Sequence, residues 1–145
     1  MPEAKFLVLR DQDAEDCREV KKRLQSICLA AGKSSVLVRI ACRELESWYL
    51  GDLAAVERGL GIPKLSSKQM QAKYRQPDGL ANASEELAKL TASRYQKVSG
   101  SRAIGPHLDP TNRRSRSFAI FIVGLIQLIA DVRQEPNTDN PESDS

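Results

Sequence analysis

The sequence is poor in the residues from which several common kinds of site are built. It has a single histidine, His107, and three cysteines without a CxxC pair, so the usual ligand spacing of a zinc site is missing. We expect Cys17, Cys28 and Cys42 to be reduced core or half-buried residues, as in most cytoplasmic proteins. The histidine follows a glycine and a proline, which favours a loop or core residue over a catalytic base. The sequence therefore gives no support for nucleophilic catalysis.

Long hydrophobic runs are scarce as well. Residues 1–5 contain no apolar stretch of the kind found in secretion signals, so we predict a cytoplasmic location. Phe118 to Val132 is the most apolar stretch, but it is shorter than the roughly 20 residues of a membrane span and contains Gln127. We interpret it as a buried helix. Residues 134–145 have no large apolar side chain, so we predict a disordered acidic tail after a domain that spans residues 1–133.

The remaining composition is that of an ordinary globular domain, with 41% hydrophobic and 28% charged residues in a chain of 145. The net charge of +3 is unevenly distributed, because residues 62–118 carry 11 basic and 4 acidic side chains. Residues 119–145 carry 1 basic and 5 acidic side chains. The basic segment is either an attractive surface for nucleic-acid phosphates or simply a solvated face.

The first third of the chain has the pattern of a β-α-β unit. Phe6 to Arg10 is an uninterrupted run of β-formers, typical of a central strand buried on both faces. An amphipathic helix follows, with its apolar residues at spacings of three and four from Cys17 onward, and Gly32 is placed to end it. Val36 to Ala41 reads as a second strand. We predict an α/β fold with a small, mostly parallel sheet flanked by helices.

The rest of the chain has helical patterns. One or two short helices are predicted over Leu45 to Leu60, where the spacing of Trp48 and Tyr49 favours core positions over a base-stacking platform. Asn82 begins a capping-box spacing and Ser115 can cap a last helix. The inner stripe of that helix is expected to consist of Phe118, Phe121, Ile122, Leu125, Leu128, Ile129 and Val132. The C-terminal part should therefore be helical.

Two aspartates follow the first predicted strand. In an extended segment, residues i and i+2 lie on the same side, so Asp11 and Asp13 would present two carboxylates at the edge where α/β sheets bind ligands. Carboxylate oxygens are the ligands that Mg²⁺ and Mn²⁺ prefer. We therefore predict a site for Mg²⁺ or Mn²⁺ at Asp11 and Asp13. The alternative is that one aspartate caps the next helix and the other is solvated.

Two glutamates occupy the matching place after the second strand. Glu44 and Glu46 would lie beside the aspartates if the two strands are neighbours, which makes them candidate catalytic residues. Alternatively, they form ion pairs with Arg39 or Arg43, or favour a helix start through the helix dipole.

A group of arginines precedes the last predicted helix. With the free N–H groups of the helix start, they would form a phosphate or nucleic-acid site; the alternative is a solvated helix start. The four residues are Arg102, Arg113, Arg114 and Arg116.

Three segments carry a resemblance to a known family: Leu9 to Cys17, Arg39 to Asp52 and Asn112 to Phe118. In order and spacing they resemble a bacterial family of domains of unknown function, of the DUF4276 type, grouped with the Toprim-like domains. The resemblance covers about Phe6 to Val132. It implies a compact α/β fold and magnesium-dependent phosphoryl transfer, as in topoisomerases, primases and overcoming-lysogenization-type nucleases. Asp11 and Asp13 take the place of the Toprim DxD pair.

The chain departs from that pattern in one respect. A Toprim site also uses a glutamate at the end of an earlier strand, whereas only five residues precede the first strand here. The resemblance therefore implies a C-terminal portion, with the upstream segment absent or supplied by a partner chain. We expect self-association or such a partner, and no membrane contact. The predicted function is a metal-dependent, nuclease-like domain, and the alternative is a non-catalytic nucleic-acid-binding or partner-binding module of a defence-type system.

Overall fold

A computed structural model describes residues 4–33 and 35–134. Strand β1 (Phe6–Asp11), helix α1 (Cys17–Ala30) and strand β2 (Val36–Ala41) form the predicted β-α-β unit. The strands are parallel, and their register runs from Phe6 opposite Val36 to Asp11 opposite Ala41. The α/β prediction is confirmed. The predicted acidic tail lies, apart from its first residue, outside the described residues.

A polar cap fixes the start of α1, and a glycine fixes its end. Asp16 Oδ1 accepts hydrogen bonds from the backbone N–H groups of Arg18 (2.8 Å) and Glu19 (3.2 Å). At the other end Gly32 has a φ of +75°, and Lys33 N donates to Cys28 O at 2.9 Å, the hydrogen bond of a glycine-terminated helix. The cap of α1 is thus Asp16, so neither Asp11 nor Asp13 has the capping role that was the alternative to metal binding.

The described residues contain six further α-helices. Two short ones follow β2, as predicted: α2 (Glu46–Leu50) and α3 (Leu53–Leu60). The later helices are α4 (Ala72–Arg75), α5 (Ala83–Leu90), α6 (Lys97–Ile104) and α7 (Arg116–Gln134), with single 3₁₀ turns at Ser66–Lys68, Pro77–Gly79 and Gly105–His107. The helical C-terminal part is therefore confirmed.

The main core lies among the helices. Its fully buried side chains include Leu50, Leu53, Val56, Leu87 and Ile104. A smaller cluster of Ala41, Trp48 and Phe118 joins α2 and α7 to the end of β2. Trp48 and Tyr49 are only 5% and 4% exposed, so the core prediction is confirmed for both and neither offers a face for base stacking.

The sheet is less covered than the sequence suggested. We expected β1 to be central and buried on both faces, but among the described residues it pairs only with β2. Phe6 and Leu9 are 40% and 36% exposed. The apolar face of α1 buries only Val20, and Cys17, expected to be core or half-buried, is exposed. With only two strands among the described residues, β1 has a free edge, and part of the apolar surface of β1 and α1 stays exposed.

The prediction of a buried last helix is wrong for most of α7. Helix α7 is 19 residues long, yet only Ser117, Phe118 and Gly124 are buried. Among the described residues, α7 is the only helix long and apolar enough to span a membrane, and 17% of an 18-residue stretch of it is buried. Core helices of soluble proteins and signal sequences have the same length and composition, so these two features alone do not indicate a membrane span.

Candidate functional site

The loops after β1 and β2 are joined into one rim at the carboxyl edge of the sheet. Gln12 N donates to Ala41 O at 3.0 Å and Asp13 N donates to Arg43 O at 2.6 Å. The side chain of Gln12 adds a third hydrogen bond between the loops: its Oε1 accepts from Arg43 N at 3.2 Å. The two pairs of acidic residues that follow the strands are therefore held at the same edge, as predicted from the order of the elements.

Both loops contain a residue in a backbone conformation that favours glycine. Asp13 has a φ of 56° and Arg43 a φ of 57°, each of which costs of order 1 kcal/mol for a residue with a side chain. Because residue 13 is not extended, the alternation on which we predicted that Asp11 and Asp13 share a side does not apply. Asp11 is half-buried and Asp13 is exposed.

Asp11 lies where a carboxylate is poorly stabilised. Burial is the largest influence and raises its pKa, and the negative charges of Glu46 and Asp13 raise it further. Two groups act against this rise: Leu45 N, which donates to Asp11 Oδ1 at 2.8 Å, and the positive charge of Lys97, which has the smaller effect. The carboxylate of Asp11 is thus surrounded by more negative than positive charge.

Glu46 is the most deeply placed of the four predicted acids. It begins α2 and is 4% exposed, and its Oε1 accepts a hydrogen bond from Tyr95 Oη at 2.9 Å. Burial raises the pKa of Tyr95, so this hydroxyl remains a donor at neutral pH. The tyrosine ring is held against Gly100 of α6, where an added Cβ would lie 2.5 Å from it.

Glu44 and Asp13 lie on the solvent side of the rim. Together with Gln12, Arg43 and Ala81 they line a cavity of about 530 Å³. Among the described residues no ion pair joins either glutamate to Arg39 or Arg43, which was one of the two alternatives drawn from the sequence. The other, an acidic residue at a helix start, is found for Glu46 in the first turn of α2.

The four acids therefore form two layers. Asp11 and Glu46 face inward, and Asp13 and Glu44 border the cavity. In the part of the chain that the structure describes, no three acidic, histidine or cysteine side chains are close enough to hold a metal ion by themselves.

The structure brings together two of the four predicted arginines. Arg113 and Arg114 line an open depression of about 430 Å³ with Asp109 and Asn112. The Arg114 guanidinium donates to Gly51 O at 3.2 Å. The other two, Arg102 on α6 and Arg116 at the first position of α7, are exposed and do not line this depression.

The start of α7 is already capped by protein groups. Ser117 N donates to Asp78 Oδ2 at 3.0 Å, and Phe118 N donates to Ser115 Oγ at 3.2 Å. The cap predicted at Ser115 is thus present. However, these two N–H groups are not available for the phosphate that we expected there.

Asp78 and Tyr95 are the site's main residues that the sequence did not indicate. Asp78 also accepts from Ser115 Oγ at 2.6 Å, which ties the turn at residues 77–79 to α7. Tyr95 lies 49 positions after its partner Glu46. Contacts over such separations leave no periodic signal in a sequence, so no local pattern could have found them.

The inward position of Asp11 leads to a prediction about stability. Since the pKa of Asp11 is raised in the folded protein, the folded state holds the proton more tightly, and the contribution of this group to stability falls as pH rises through 3.8 and above. Asp11→Asn keeps an oxygen for Leu45 N and removes the charge. We expect the melting temperature at pH 7 to rise by about 1–4 °C.

Scanning calorimetry at neutral pH and well below pH 3.8 tests this. The gain should disappear at the lower pH, where Asp11 is protonated in the wild type. Asp131→Asn is the matched control, because that aspartate is exposed on α7, does not act on Asp11 and should give no gain. A lower melting temperature for Asp11→Asn at pH 7 would contradict the electrostatic account.

The three segments that suggested a family are bonded to one another in the fold. Asp11 of the first accepts from Leu45 of the second. Trp48 Nε1 of the second donates to Ser117 Oγ of the third at 2.8 Å, and Asn112 Nδ2 donates to Gly51 O at 2.7 Å. The segments thus build one connected structure around the rim.

Comparison with known families gives a match over residues 1–126 to the family described as Domain of unknown function (DUF4276). Neither the curated proteins nor the solved structures contain a match to the chain. The family match runs from before β1 to the middle of α7 and includes all three segments. The chain therefore belongs to the DUF4276 family of domains of unknown function.

Proposed function

We propose that the chain is a Toprim-like, cytoplasmic domain of metal-dependent phosphoryl transfer on nucleic acid, a nuclease-like activity. One observation carries the proposal: Asp11 is half-buried beside the negative charges of Glu46 and Asp13, at the carboxyl edge of two parallel strands. Crowded carboxylates destabilise a fold unless a cation balances them, and perturbed acids cluster at functional sites.

The residues present fit a magnesium or manganese ion with a small protein contribution. Mg²⁺ is commonly held by one or two carboxylates, with water and substrate phosphate as the other ligands. Asp11 and Asp13 are the proposed ligands, so the lack of a three-residue group among the described residues does not conflict with the proposal. When bound, the ion would stabilise negative charge on the phosphoryl group.

The two glutamates would have different roles. Glu44 lines the cavity and can reach a substrate, so it is the better candidate for a catalytic base. Glu46 is buried and held by Tyr95, so it would act by setting the charge around Asp11.

The basic middle segment supplies a surface for nucleic acid. Two of its lysines are engaged in ion pairs, Lys73 with Glu86 and Lys89 with Glu85. Arg113 and Arg114 remain exposed beside an open depression. Contacts from such side chains to the phosphate backbone are independent of sequence and weaken with salt.

A second function is favoured by a different observation. Glu46 is committed to Tyr95, and no three potential ligands lie together among the described residues. This fits a non-catalytic module that binds nucleic acid or a partner chain, as part of a defence-type system. The two functions differ in whether metal is required.

Calorimetric titration with MnCl₂ tests the metal site. We expect the wild type to bind Mn²⁺, and Asp11→Asn with Asp13→Asn to weaken binding by about tenfold or more, since the protein supplies few ligands. Asp131→Asn changes an exposed aspartate on α7 and is the control for the loss of one negative charge. Equal Mn²⁺ affinity in the double variant would exclude these ligands.

A cleavage assay then separates the two functions. Labelled single-stranded and double-stranded DNA and RNA are incubated with the chain and Mg²⁺ or Mn²⁺. The enzyme proposal requires cleavage that EDTA and the double aspartate variant both abolish, and Glu44→Gln should lower the rate by about 10²-fold or more. Retention of uncut, salt-sensitive nucleic acid under all metal conditions would support the binding module instead.

A further inference from the structure

The side of α7 turned away from the sheet is an exposed apolar surface. Ile120, Val123, Ile126 and Ile129 are 46%, 60%, 60% and 44% exposed, and we call these four residues the outer face of α7. No charged residue occurs between Arg116 and Asp131 in the sequence. An exposed apolar helix face of this length normally packs against another protein surface or a membrane.

The opposite side of α7 holds the helix to the rest of the fold. Phe118 packs on Trp48, with ring centroids 5.2 Å apart, and Ser117 accepts the hydrogen bond from Trp48. Further along, an added Cβ on Gly124 would lie 2.9 Å from side-chain atoms of Leu37 and Arg39. A helix that spans a bilayer would have to give up these contacts, so a second protein surface is the better occupant.

The outer face is complementary to itself. About a point between residues 124 and 125, Val123 pairs with Ile126 and Ile120 with Ile129. The next pair outward is Ala119 with Ala130, two small residues that allow helices to approach closely. A two-fold axis at that point places equivalent apolar residues opposite one another. The like charges that it brings together are Arg116 and Arg133 at the two ends, and both are exposed to solvent.

The area suits an interface between two copies. Four aliphatic side chains that are about half exposed present roughly 400 Å², a patch size that marks interaction sites in soluble proteins. The polar groups around them would extend the contact toward the roughly 800 Å² per partner of an ordinary interface.

We propose that the outer face of α7 is the interface of a two-fold homodimer, in which α7 packs antiparallel against α7 of a second copy. The proposal is independent of the metal site, because none of its residues belongs to the acidic rim. It also says which surface would mediate the self-association that we expected from the sequence.

Sedimentation velocity of the full chain over a hundredfold range of concentration tests the proposal. We expect a dimer that Val123→Glu weakens by about 100-fold, because a charge would be buried at the centre of the contact. Val98→Glu on α6 is the matched control, since Val98 is 68% exposed and lies outside the outer face. This control should dimerise as the wild type does.

A folded Val123→Glu chain that still dimerises like the wild type would overturn the proposal. If circular dichroism shows that this variant is unfolded, Val123→Thr with Ile126→Thr replaces it, and the pair should weaken the dimer by about tenfold. A wild type that is monomeric throughout the concentration range also overturns the proposal. So does a monomer that binds phosphatidylcholine vesicles through α7, because the occupant would then be a lipid surface.

Discussion

Gly59→Ala is expected to destabilise the helical core by about 3 kcal/mol, a large effect for the addition of one methyl group. Gly59 lies in α3 where that helix meets α6, and an added Cβ would be 2.6 Å from Ala103 O and 2.8 Å from Ile104 Cα. Both atoms belong to the backbone, so no side chain can rotate away. The two helices would have to separate, although their fully buried residues Val56 and Ile104 keep them together.

The opposing term is the better helix propensity of alanine, which contributes about 1 kcal/mol or less. The steric term therefore decides, and the melting temperature should fall by about 10 °C. Gly79→Ala is the matched control: the φ of Gly79 is not in the left-handed region and no atom lies within 4 Å of the added Cβ. That variant should be neutral or slightly more stable, and a Gly59→Ala chain that melts no earlier would show that α3 and α6 are farther apart.

Trp48→Ala should cost about 3–5 kcal/mol and release α7 from the remainder of the fold. The indole is 5% exposed, and its ring lies 5.2 Å from that of Phe118 and 5.0 Å from that of Phe121. Its Nε1 also donates to Ser117 Oγ at 2.8 Å, the bond that fixes the first turn of α7. Removing the ring takes away both the packing and the bond.

Trp48→Phe separates these two contributions. It keeps most of the packing and loses the hydrogen bond, so we expect a cost of about 1–2 kcal/mol. Urea denaturation followed by far-ultraviolet circular dichroism is the suitable measurement, because Trp48 is the only tryptophan and both variants lose its fluorescence. Hydrogen exchange should show faster exchange along α7 in Trp48→Ala. Equal losses in the two variants would mean that packing against α7 contributes little.

The elements that local patterns specify were predicted from the sequence. Runs of β-forming residues predicted β1 and β2, and a period of 3.6 predicted α1. Gly32 ends α1 as predicted because a glycine adopts the required positive φ most easily. Ser115 caps α7 through a contact within four residues. The helix start after Asn82 was also correct, although the Asn82 side chain does not hydrogen-bond the free N–H groups of α5.

Burial was predicted less well than periodicity. A stripe of apolar residues shows which face of a helix can pack, but not whether a partner is there. The same reasoning that placed Trp48 and Tyr49 correctly in the core was right for Phe118, which packs there with Trp48, but wrong for Ile129 and Val132, which are 44% and 50% exposed. Among the described residues only two strands are available to pack against α7. The capping alternative for Asp11 and Asp13 was wrong because Asp16, nearer to α1, has that role.

For the candidate site, the sequence by itself determined which acids come to one edge. Asp11, Asp13, Glu44 and Glu46 each follow a strand, and parallel neighbouring strands end side by side. Only the tertiary structure decided which of the four acids face inward and which border the cavity. The left-handed conformation of residue 13 breaks the strand alternation on which the two aspartates were expected to share a side, and the hydroxyl of Tyr95 from a distant loop holds Glu46 inside. Strand order follows from local patterns, whereas the depth and charge of each carboxylate depend on contacts between residues far apart in the chain.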